Sequence, residues 1–219
     1  MNQSGDEELI VTAARISYGK KAYQDDRDAQ LLEKLIQLGH WTPFEHVHLT
    51  FFIRCPIYVW RQWIRHRTAH VNERSMRYTR STMLIEYGEL SDNPIYNKAI
   101  AVSLDAYNQL LESYPKEKAR LVLPLSTYTE AIWTIDLRNL LHFLELRLHK
   151  DAQKEIRLYA QIILEELEQR FPTVMNAFIE HRLKAITLSG QQAKILKKTL
   201  DNLNGDEELE SIKNKLSLS

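Results

Sequence analysis

Two segments of this sequence alternate apolar and polar residues with a period of two, the pattern of a strand with one buried face. The first runs from 46 to 54 and is ended by Pro56. The second, from 127 to 135, is rich in Thr, Tyr, Trp and Ile, which favour strands. Because most other long stretches have helical spacing, the sequence predicts a helix-rich α+β fold with a small antiparallel sheet.

Six stretches are expected to be helical, most of them because apolar residues recur at intervals of three and four. The first is followed by Gly39, a residue type that commonly ends a helix. One or two further turns are expected over 116–123. The expected helices cover 26–38, 57–66, 97–114, 136–149, 151–170 and the segment after Pro172.

The length of the chain suits one globular domain. Its 219 residues, 44% of them hydrophobic, are enough to bury a core of their own. We expect this domain to cover residues 1–189. From about 190 the chain is rich in Lys, Asp, Glu and Asn, so 190–219 is expected to form a peripheral helix or a loose tail.

Composition excludes several classes of protein. With 29 basic and 29 acidic residues the formal net charge is zero, so no general attraction to nucleic acid or membranes is expected. The single cysteine excludes an intramolecular disulfide and a cysteine-only zinc site. No apolar run approaches the ~20 residues of a spanning helix, and the polar, acidic N-terminus is unlike a signal peptide. We therefore expect a cytoplasmic protein.

Residues 65–80, the Arg-rich segment, hold five arginines and two histidines but one acid, Glu73. Guanidinium groups match phosphate and carboxylate groups with two parallel hydrogen bonds. Trp63, Met76 and Tyr78 interleave with the cations, which suits a concave site for a flat anionic ligand. Single-stranded nucleic acid and a solvated basic loop are the alternatives, and the lack of a wider basic surface favours the small ligand.

Arg147 has an unusual place on the helix expected over 136–149. On a helical wheel it lies about 20° from Leu140, at the edge of the apolar stripe. An arginine there either extends to solvent along its aliphatic stem or meets a buried anion, because an unpaired buried charge is costly. The polar stripe of this helix consists of Arg138, His142, Glu145 and His149.

The histidine pairs and the cysteine give no clear indication of a functional site. Two histidine pairs, His46 with His48 and His66 with His70, have a spacing that zinc could use. No third ligand accompanies either pair, so no metal site is expected. Cys55 precedes Pro56 at a strand end, and we expect an inert, buried thiol.

Two residues of the Arg-rich segment have alternative interpretations. Glu73 is either an ion-pair partner of the neighbouring arginines or an acceptor of hydrogen bonds from a nucleotide. Ser75 is most often simply a polar residue at such a site, and because it lacks the Gly-x-Ser-x-Gly surroundings of a hydrolase nucleophile it does not indicate acyl transfer.

The order Arg65-His66-Arg67, seven residues, then Ser75-Met76-Arg77 resembles the signature of the flavin-dependent thymidylate synthases. The resemblance covers roughly residues 8–185 and leaves out the tail. Further blocks similar to that family are 13–17, 39–46, 61–64, 119–125 and 140–147.

This resemblance implies an enzyme, a methyltransferase that converts dUMP to dTMP. The carbon would come from 5,10-methylenetetrahydrofolate, with FAD as hydride carrier and NADPH as reductant. It also implies a homotetramer whose active sites are shared between chains. FAD binding would not rest on a Rossmann fold, because the sequence has no Gly-x-Gly-x-x-Gly motif.

The resemblance also implies roles for individual residues. Arg147 would be catalytic, gripping the uracil ring and favouring ionisation at its N3, and His40 is a candidate at the folate end. The FAD contacts would be Ser17, Thr42, Glu45, Arg65, His66, Arg67, Thr68, Glu73, Asp136, Leu137, Arg138 and His142. The dUMP contacts would be Gln62, Trp63, Ile64, Arg65, Glu73, Arg74, Ser75, Met76, Arg77, Arg120 and Arg147.

The chain departs from the family pattern in three places. The family usually has serine where His70 stands and often asparagine where Asp136 stands, so a carboxylate would lie near the flavin edge. It also commonly has an N-terminal strand before residue 8, which we expect to be missing here.

Two other functions remain as alternatives at this point. The Arg-rich segment could belong to a nucleic-acid-binding module, which would bind oligonucleotides with strong salt dependence and without flavin. A cysteine-dependent thymidylate synthase is disfavoured, because Cys55 is the only thiol and lies outside the ligand-binding motifs.

Overall fold

The computed structural model describes residues 1–16, 19, 27–81, 84–200 and 209–212. Ser17, expected to contact flavin, lies outside the described residues. The chain forms two compact units, Met1–Arg182 and Leu183–Ser219. The second contains a helix over Gly190–Leu200 and a helical turn at 209–212. The domain boundary expected between 189 and 190 remains a prediction.

The sheet of the first unit consists of β1 (Asn2–Ser4), β2 (His48–Pro56), β3 (His70–Glu73) and β4 (Tyr128–Asp136). All pairs are antiparallel, in the order β1-β2-β4-β3. The long strands β2 and β4 pair along their whole length, which places Arg54 opposite Glu130. The predicted small antiparallel sheet is thus confirmed.

The first predicted strand begins later than expected. The sequence pattern indicated a strand from 46, but Thr42–His46 forms a 3-10 turn with proline in its first turn, and β2 starts at His48. His46 and His48 therefore do not share one face of a strand. Pro56 is the last strand residue and also caps the following helix, where its missing N–H is not needed.

The two outer strands differ from the sequence predictions. The N-terminal strand expected to be missing is present, since β1 pairs with β2 and places Gln3 opposite Leu49. β3 was not predicted at all. Its four residues are all exposed, so it shows no alternation of buried and exposed positions from which a strand could be recognised.

Each of the six expected helical stretches contains a helix, but the helix Glu7–Ile16 was not predicted. The helix expected from 97 starts three residues earlier, at Pro94, because the Asn93 side chain caps it by accepting from the N–H groups of Ile95 and Tyr96. The helices of the first unit are α1 (Glu7–Ile16), α2 (Arg27–Leu38), α3 (Ile57–Trp63), α4 (Pro94–Ser113), α5 (Lys116–Ala119), α6 (Leu137–Leu148), α7 (Lys154–Arg170) and α8 (Pro172–Phe178).

An aromatic cluster joins the sheet to α3, α6 and α7. Trp63 is fully buried, and its ring centroid lies 5.3 Å from that of Trp133 on β4 and 5.1 Å from that of Phe143 on α6. Tyr159 on α7 packs edge-on at 5.8 Å. Truncating such a ring to alanine costs about 3–5 kcal/mol, so this cluster rigidly fixes the end of α3, from which the Arg-rich segment departs.

None of the helices in the described residues could span a membrane.

Candidate ligand-binding site

The N-terminus of α6 is held by the carboxylate of Asp136. One oxygen accepts from the main-chain N–H of Asn139 at 2.9 Å and the other from its side-chain amide at 2.7 Å, an N-cap arrangement. The departure from asparagine at this position is therefore accommodated by the helix. Leu137, a predicted flavin contact, is fully buried and donates its N–H to Val47, so its side chain belongs to the core.

His66 and His142 face each other across the start of the Arg-rich segment, with ring centroids 5.7 Å apart. Phe143 packs edge-on against His66 at 5.9 Å. Burial, and then the nearby His142 and Arg147, lower the pKa of His66 below its ordinary value. Its Nε2 atom is buried and has no hydrogen-bond partner in the part of the chain that the structure describes, so a neutral imidazole is available to a ligand.

Arg147 reaches back to the end of α3. Its Nη2 atom donates to the main-chain oxygen of Gln62 at 2.9 Å, and the guanidinium carbon lies 5.9 Å from the centre of the Phe143 ring. The Nε atom is buried and has no partner among the described residues, and burial lowers the pKa of the group. Within the described part of the chain no carboxylate pairs with Arg147, so neither alternative holds as stated: the side chain is half-buried and meets a main-chain oxygen instead of an anion.

The residues just before the Arg-rich segment have different surroundings. Trp63 is core, although its indole Nε1 has no partner. The side-chain amide of Gln62 is hydrogen-bonded to Gln153. Ile64 is exposed and is the only one of the three predicted dUMP contacts whose side chain is available to a ligand without rearrangement.

The segment after β3 folds into a tight turn. The carbonyl oxygen of Ser75 accepts from the N–H groups of Tyr78 and Thr79, and its hydroxyl accepts from the N–H of Arg77 at 3.3 Å. Across the described residues, the N–H groups of Ser75 and Met76 have no partner. Adjacent free N–H groups in a turn bind anions, so this turn is a candidate phosphate site.

Three predicted anion-binding arginines lie around this turn and the segment before it. Arg65 and Arg67 are exposed, and the described residues include no ion-pair partner for them. Arg77 pairs weakly with Glu117 on α5, at 3.4 Å. Arg120, another predicted contact, follows α5 in a 3-10 turn.

Glu73 has a buried neighbour that the sequence did not single out. Its Oε1 atom accepts from the hydroxyl of Thr129 at 2.7 Å, and Thr129 is buried on β4. Within the described residues no ion pair includes Glu73, so the expected pairing with neighbouring arginines is not found there. One carboxylate oxygen is therefore fixed and the other remains available.

A second group of predicted contacts joins α6 to the turn before β2. Arg138 forms an ion pair with Glu45. Glu145 lies 3.4 Å from Nδ1 of His142 and accepts from Arg182 at 2.7 Å. These pairs fix two predicted flavin contacts, Arg138 and His142, before any ligand arrives.

His40 and Thr42 line a cavity of about 720 Å³ between α1, α2 and the 3-10 turn. Its wall also carries Lys34 and His46. His40, the residue predicted to lie at the folate end, thus lines a cavity whose wall carries cationic side chains. Among the described residues, no group of three or more potential ligands could hold a metal ion.

The predicted residues therefore fall into separate groups. One contains His66, His142 and Arg147, whereas another contains Glu73 and the turn that begins at Ser75. No hydrogen bond or ion pair among the described residues joins the turn to Arg147. The sequence pattern did not single out Thr129, Glu130 or Arg182. Their contacts depend on the strand register and on the path of the chain after α8, which the sequence pattern does not show.

Comparison with known proteins matches residues 1–173 to a family model described as thymidylate synthase complementing protein. The flavin-dependent thymidylate synthase of Pseudothermotoga lettingae is 37% identical over 205 residues, which cover 87% of this chain and 93% of that protein. The flavin-dependent thymidylate synthase of Thermus thermophilus is 40% identical over 217 residues, covering 90% and 80%.

A solved structure is similar as well. The UMP/dUMP methylase PolB from Streptomyces cacaoi, bound with 5-Br dUMP, superposes with a TM-score of 0.75 at 29% identity. The match covers 82% of this chain and 93% of that one. The same methylase bound with 5-Br UMP gives a TM-score of 0.71.

Proposed function

This chain belongs to the flavin-dependent thymidylate synthase family, and we propose that it methylates dUMP to dTMP with FAD as hydride carrier. In this proposal 5,10-methylenetetrahydrofolate supplies the carbon and NADPH the reducing equivalents. The active form is a homotetramer with sites shared between chains, and it works in the cytoplasm.

The observation that carries the proposal is the half-buried, unpaired charge of Arg147. A cation held beside Phe143 by the carbonyl of Gln62 has a buried donor, Nε, that finds no partner among the described residues. Fixed charge in a partly dehydrated site strongly stabilises charge that develops on a reactant. A uracil ring that loses its N3 proton would provide that negative charge, so Arg147 is the residue that activates the ring.

The turn at Ser75 supports the phosphate half of dUMP. The N–H groups of Ser75 and Met76, which have no partner among the described residues, lie in the turn in which the main-chain N–H of Arg77 donates to the Ser75 hydroxyl. A dianionic phosphate is held well by such donors, because hydrogen bonds to a charged group are roughly twice as strong as neutral ones. Glu73 would accept from the nucleotide or the flavin through its free oxygen.

The residues present also fit FAD. The buried Nε2 of His66, without a partner among the described residues, could bond to a ligand, and the exposed forks of Arg65 and Arg67 suit a pyrophosphate. When bound, the flavin supplies the hydride, which is cofactor chemistry that the protein orients. His142 and Arg138, fixed by Glu145 and Glu45, would hold its edge.

The proposed active site is shared between chains. Arg147 and the Ser75 turn carry the two halves of the proposed dUMP site, and no hydrogen bond or ion pair joins them in the described residues. A second chain that places its turn against this chain's Arg147 would complete the site. The cavity at His40 and Thr42 is the proposed place for the folate.

The test is whether purified protein takes up FAD and turns over dUMP. We expect a flavin absorbance spectrum and dTMP formation that requires NADPH and methylenetetrahydrofolate. Arg67→Ala should weaken FAD uptake. Arg61→Ala should not, because Arg61 is exposed on α3 and is not among the predicted FAD contacts. A protein that binds no FAD even with dUMP present, but binds oligonucleotides in a salt-dependent way, would overturn the proposal.

A further inference from the structure

The carboxylate of Glu130 holds two arginines that come from different parts of the chain. Arg54 on β2 donates Nε to Oε1 at 3.0 Å, and its Nη2 lies 3.0 Å from the same oxygen. Arg74, directly after β3, donates Nη1 to Oε2 at 2.8 Å. Because β4 lies between β2 and β3, Glu130 is placed to bind both neighbours at once.

Each of the three guanidinium nitrogens of Arg74 donates to a protein acceptor, so three of its five N–H groups are engaged within the described residues. Besides Glu130, its Nη2 donates to the carbonyl oxygen of Arg80 and its Nε to the hydroxyl of Thr79, both at 3.3 Å. The Thr79 hydroxyl in turn donates to the carbonyl of Ser75 at 2.9 Å. The side chain of Arg74 therefore spans the turn from one end to the other.

The main chain adds a further link at the same point. The N–H of Arg74 donates to the carbonyl oxygen of Glu130 at 2.8 Å, which continues the β3–β4 pairing by one residue. Residue 74 is thus fixed to β4 by main chain and side chain together. By contrast, Arg65 and Arg67 have no such partners in the described residues.

We propose that Arg74 is a positioning residue, held by Glu130 with support from Arg54, and that it sets the Ser75–Arg77 turn for phosphate rather than contacting the substrate. This rests on the proposed function, in which that turn binds the phosphate of dUMP. The single N–H of Nε is taken by Thr79, so a phosphate could reach Arg74 only through the second N–H of Nη1 or of Nη2.

The charges support this assignment. Hydrogen bonding to Arg74, and then to Arg54, lowers the pKa of Glu130, so the carboxylate is ionised at neutral pH and shares its charge between two cations. Its side chain is only 19% exposed, which shields the pair from solvent. An arginine neutralised in this way contributes less to attracting an anion than the unpaired Arg65 and Arg67.

The test is a set of variants of the full chain, loaded with FAD and titrated with dUMP. Glu130→Gln removes the charge that holds Arg74, so we expect the Kd and KM for dUMP to rise about tenfold while kcat at saturating dUMP stays within twofold. FAD affinity should not change. Glu166→Gln, which breaks an exposed pair with Arg170 on α7, is the matched control and should have no effect.

The opposite assignment gives opposite results. If Arg74 contacted the phosphate directly, Glu130→Gln would release it and leave dUMP binding unchanged or tighter. The variant Arg74→Lys distinguishes the two assignments further, because a lysine keeps the positive charge but cannot make the three hydrogen bonds of the guanidinium. A positioning role predicts that Arg74→Lys binds dUMP as poorly as Arg74→Gln, whereas near-wild-type binding by Arg74→Lys would overturn it.

Two further measurements complete the design. The double variant Glu130→Gln with Arg74→Gln should be no worse than either single variant, since both remove the same clamp, and additive losses would contradict the proposal. If Glu130→Gln does not fold, Arg54→Gln replaces it, with a smaller expected rise in Kd. A wild-type chain that binds FAD but no dUMP would refute the proposed function, whereas normal dUMP binding by Glu130→Gln refutes only the positioning role.

Discussion

The Nη2 atom of Arg147 donates a hydrogen bond to the main-chain oxygen of Gln62 over 2.9 Å. This contact ties the C-terminal turn of α6 to α3, just before the Arg-rich segment departs. It also turns the guanidinium inward, over Phe143, so a charge that lacks a protein anion in the described residues is kept half-buried. Such a charge is costly unless a ligand uses it.

We predict that Arg147→Ala folds and keeps its flavin but loses most of its affinity for dUMP. Removing one charge-assisted hydrogen bond costs about 1.5–3 kcal/mol, which corresponds to about a 10- to 150-fold rise in Kd. Isothermal titration of the FAD-loaded protein with dUMP measures this directly. Arg170→Ala, an exposed arginine paired within α7, is the control, and unchanged dUMP binding in Arg147→Ala would make Arg147 a structural residue.

The fold was predictable where one side of an element is buried. β2 and β4 alternate regularly because their inner faces meet the core, and α6 shows its stripe because Leu140 and Leu144 are buried. β3 escaped prediction because all four of its residues are exposed and its pairing with β4 depends on the main chain. β1 was not predicted because its three residues are too few to show an alternation of buried and exposed positions.

The site was predictable in composition but not in arrangement. The arginines and histidines of the Arg-rich segment could be read from the sequence, yet nothing there distinguishes Arg74, which the sheet immobilises, from Arg67, for which the described residues supply no ion-pair partner. That difference arises from strand register, which brings Glu130 next to Arg74 across 56 residues of sequence. Contacts of this kind can be recognised only when the fold is known.

Stability should depend on pH through His66. Burial lowers its pKa below the ordinary value of 6.5, so between the two values the unfolded chain binds more protons than the folded protein. The stability from this residue is therefore present above pH 6.5 and is lost as pH falls towards the lowered pKa. We predict that His66→Asn loses less thermal stability than wild type between pH 7.5 and 5.5.

Thermal melting followed by circular dichroism across that pH range provides the measurement. His70→Asn is a suitable control, because His70 is exposed on the edge strand β3. Its melting temperature should follow the wild-type pH dependence. A His66→Asn variant with the same pH dependence as wild type would show that His66 is not held neutral in the folded protein.

We predict a homotetramer in solution. The Arg-rich segment and the residue before it present cationic groups together with the exposed apolar side chains of Ile64 and Tyr78, and such a surface is expected to be covered by another chain. Light scattering coupled to gel filtration should give four times the mass of 25.8 kDa. An active monomer would exclude a site shared between chains.

Mixing two inactive variants tests the shared site more directly. Arg147→Ala and Arg77→Ala each remove one half of the proposed dUMP site. If the halves come from different chains, unfolding and refolding the two variants together should restore part of the activity, because some sites then contain both intact halves. Absence of any recovery in properly assembled mixtures would place both residues in the same chain's site.

Cys55 separates the flavin mechanism from one that uses a protein thiol. It is fully buried on β2, and burial, with a smaller effect of Glu73, raises its pKa to about 12. A thiol with so high a pKa is almost entirely protonated at neutral pH, whereas the nucleophile must be the thiolate. Cys55 is also the only cysteine in the chain, so no other thiol could replace it.

We therefore predict that Cys55→Ala forms dTMP within a few-fold of the wild-type rate. The expected cost is packing alone, of order 1 kcal/mol of folding stability, since the residue lies opposite Thr129 in the sheet. NADPH- and FAD-dependent conversion of dUMP measures the rate, and a melting curve measures the stability. A folded, FAD-bound Cys55→Ala protein without activity would mean that the thiol takes part in catalysis, and the flavin mechanism proposed here would be wrong.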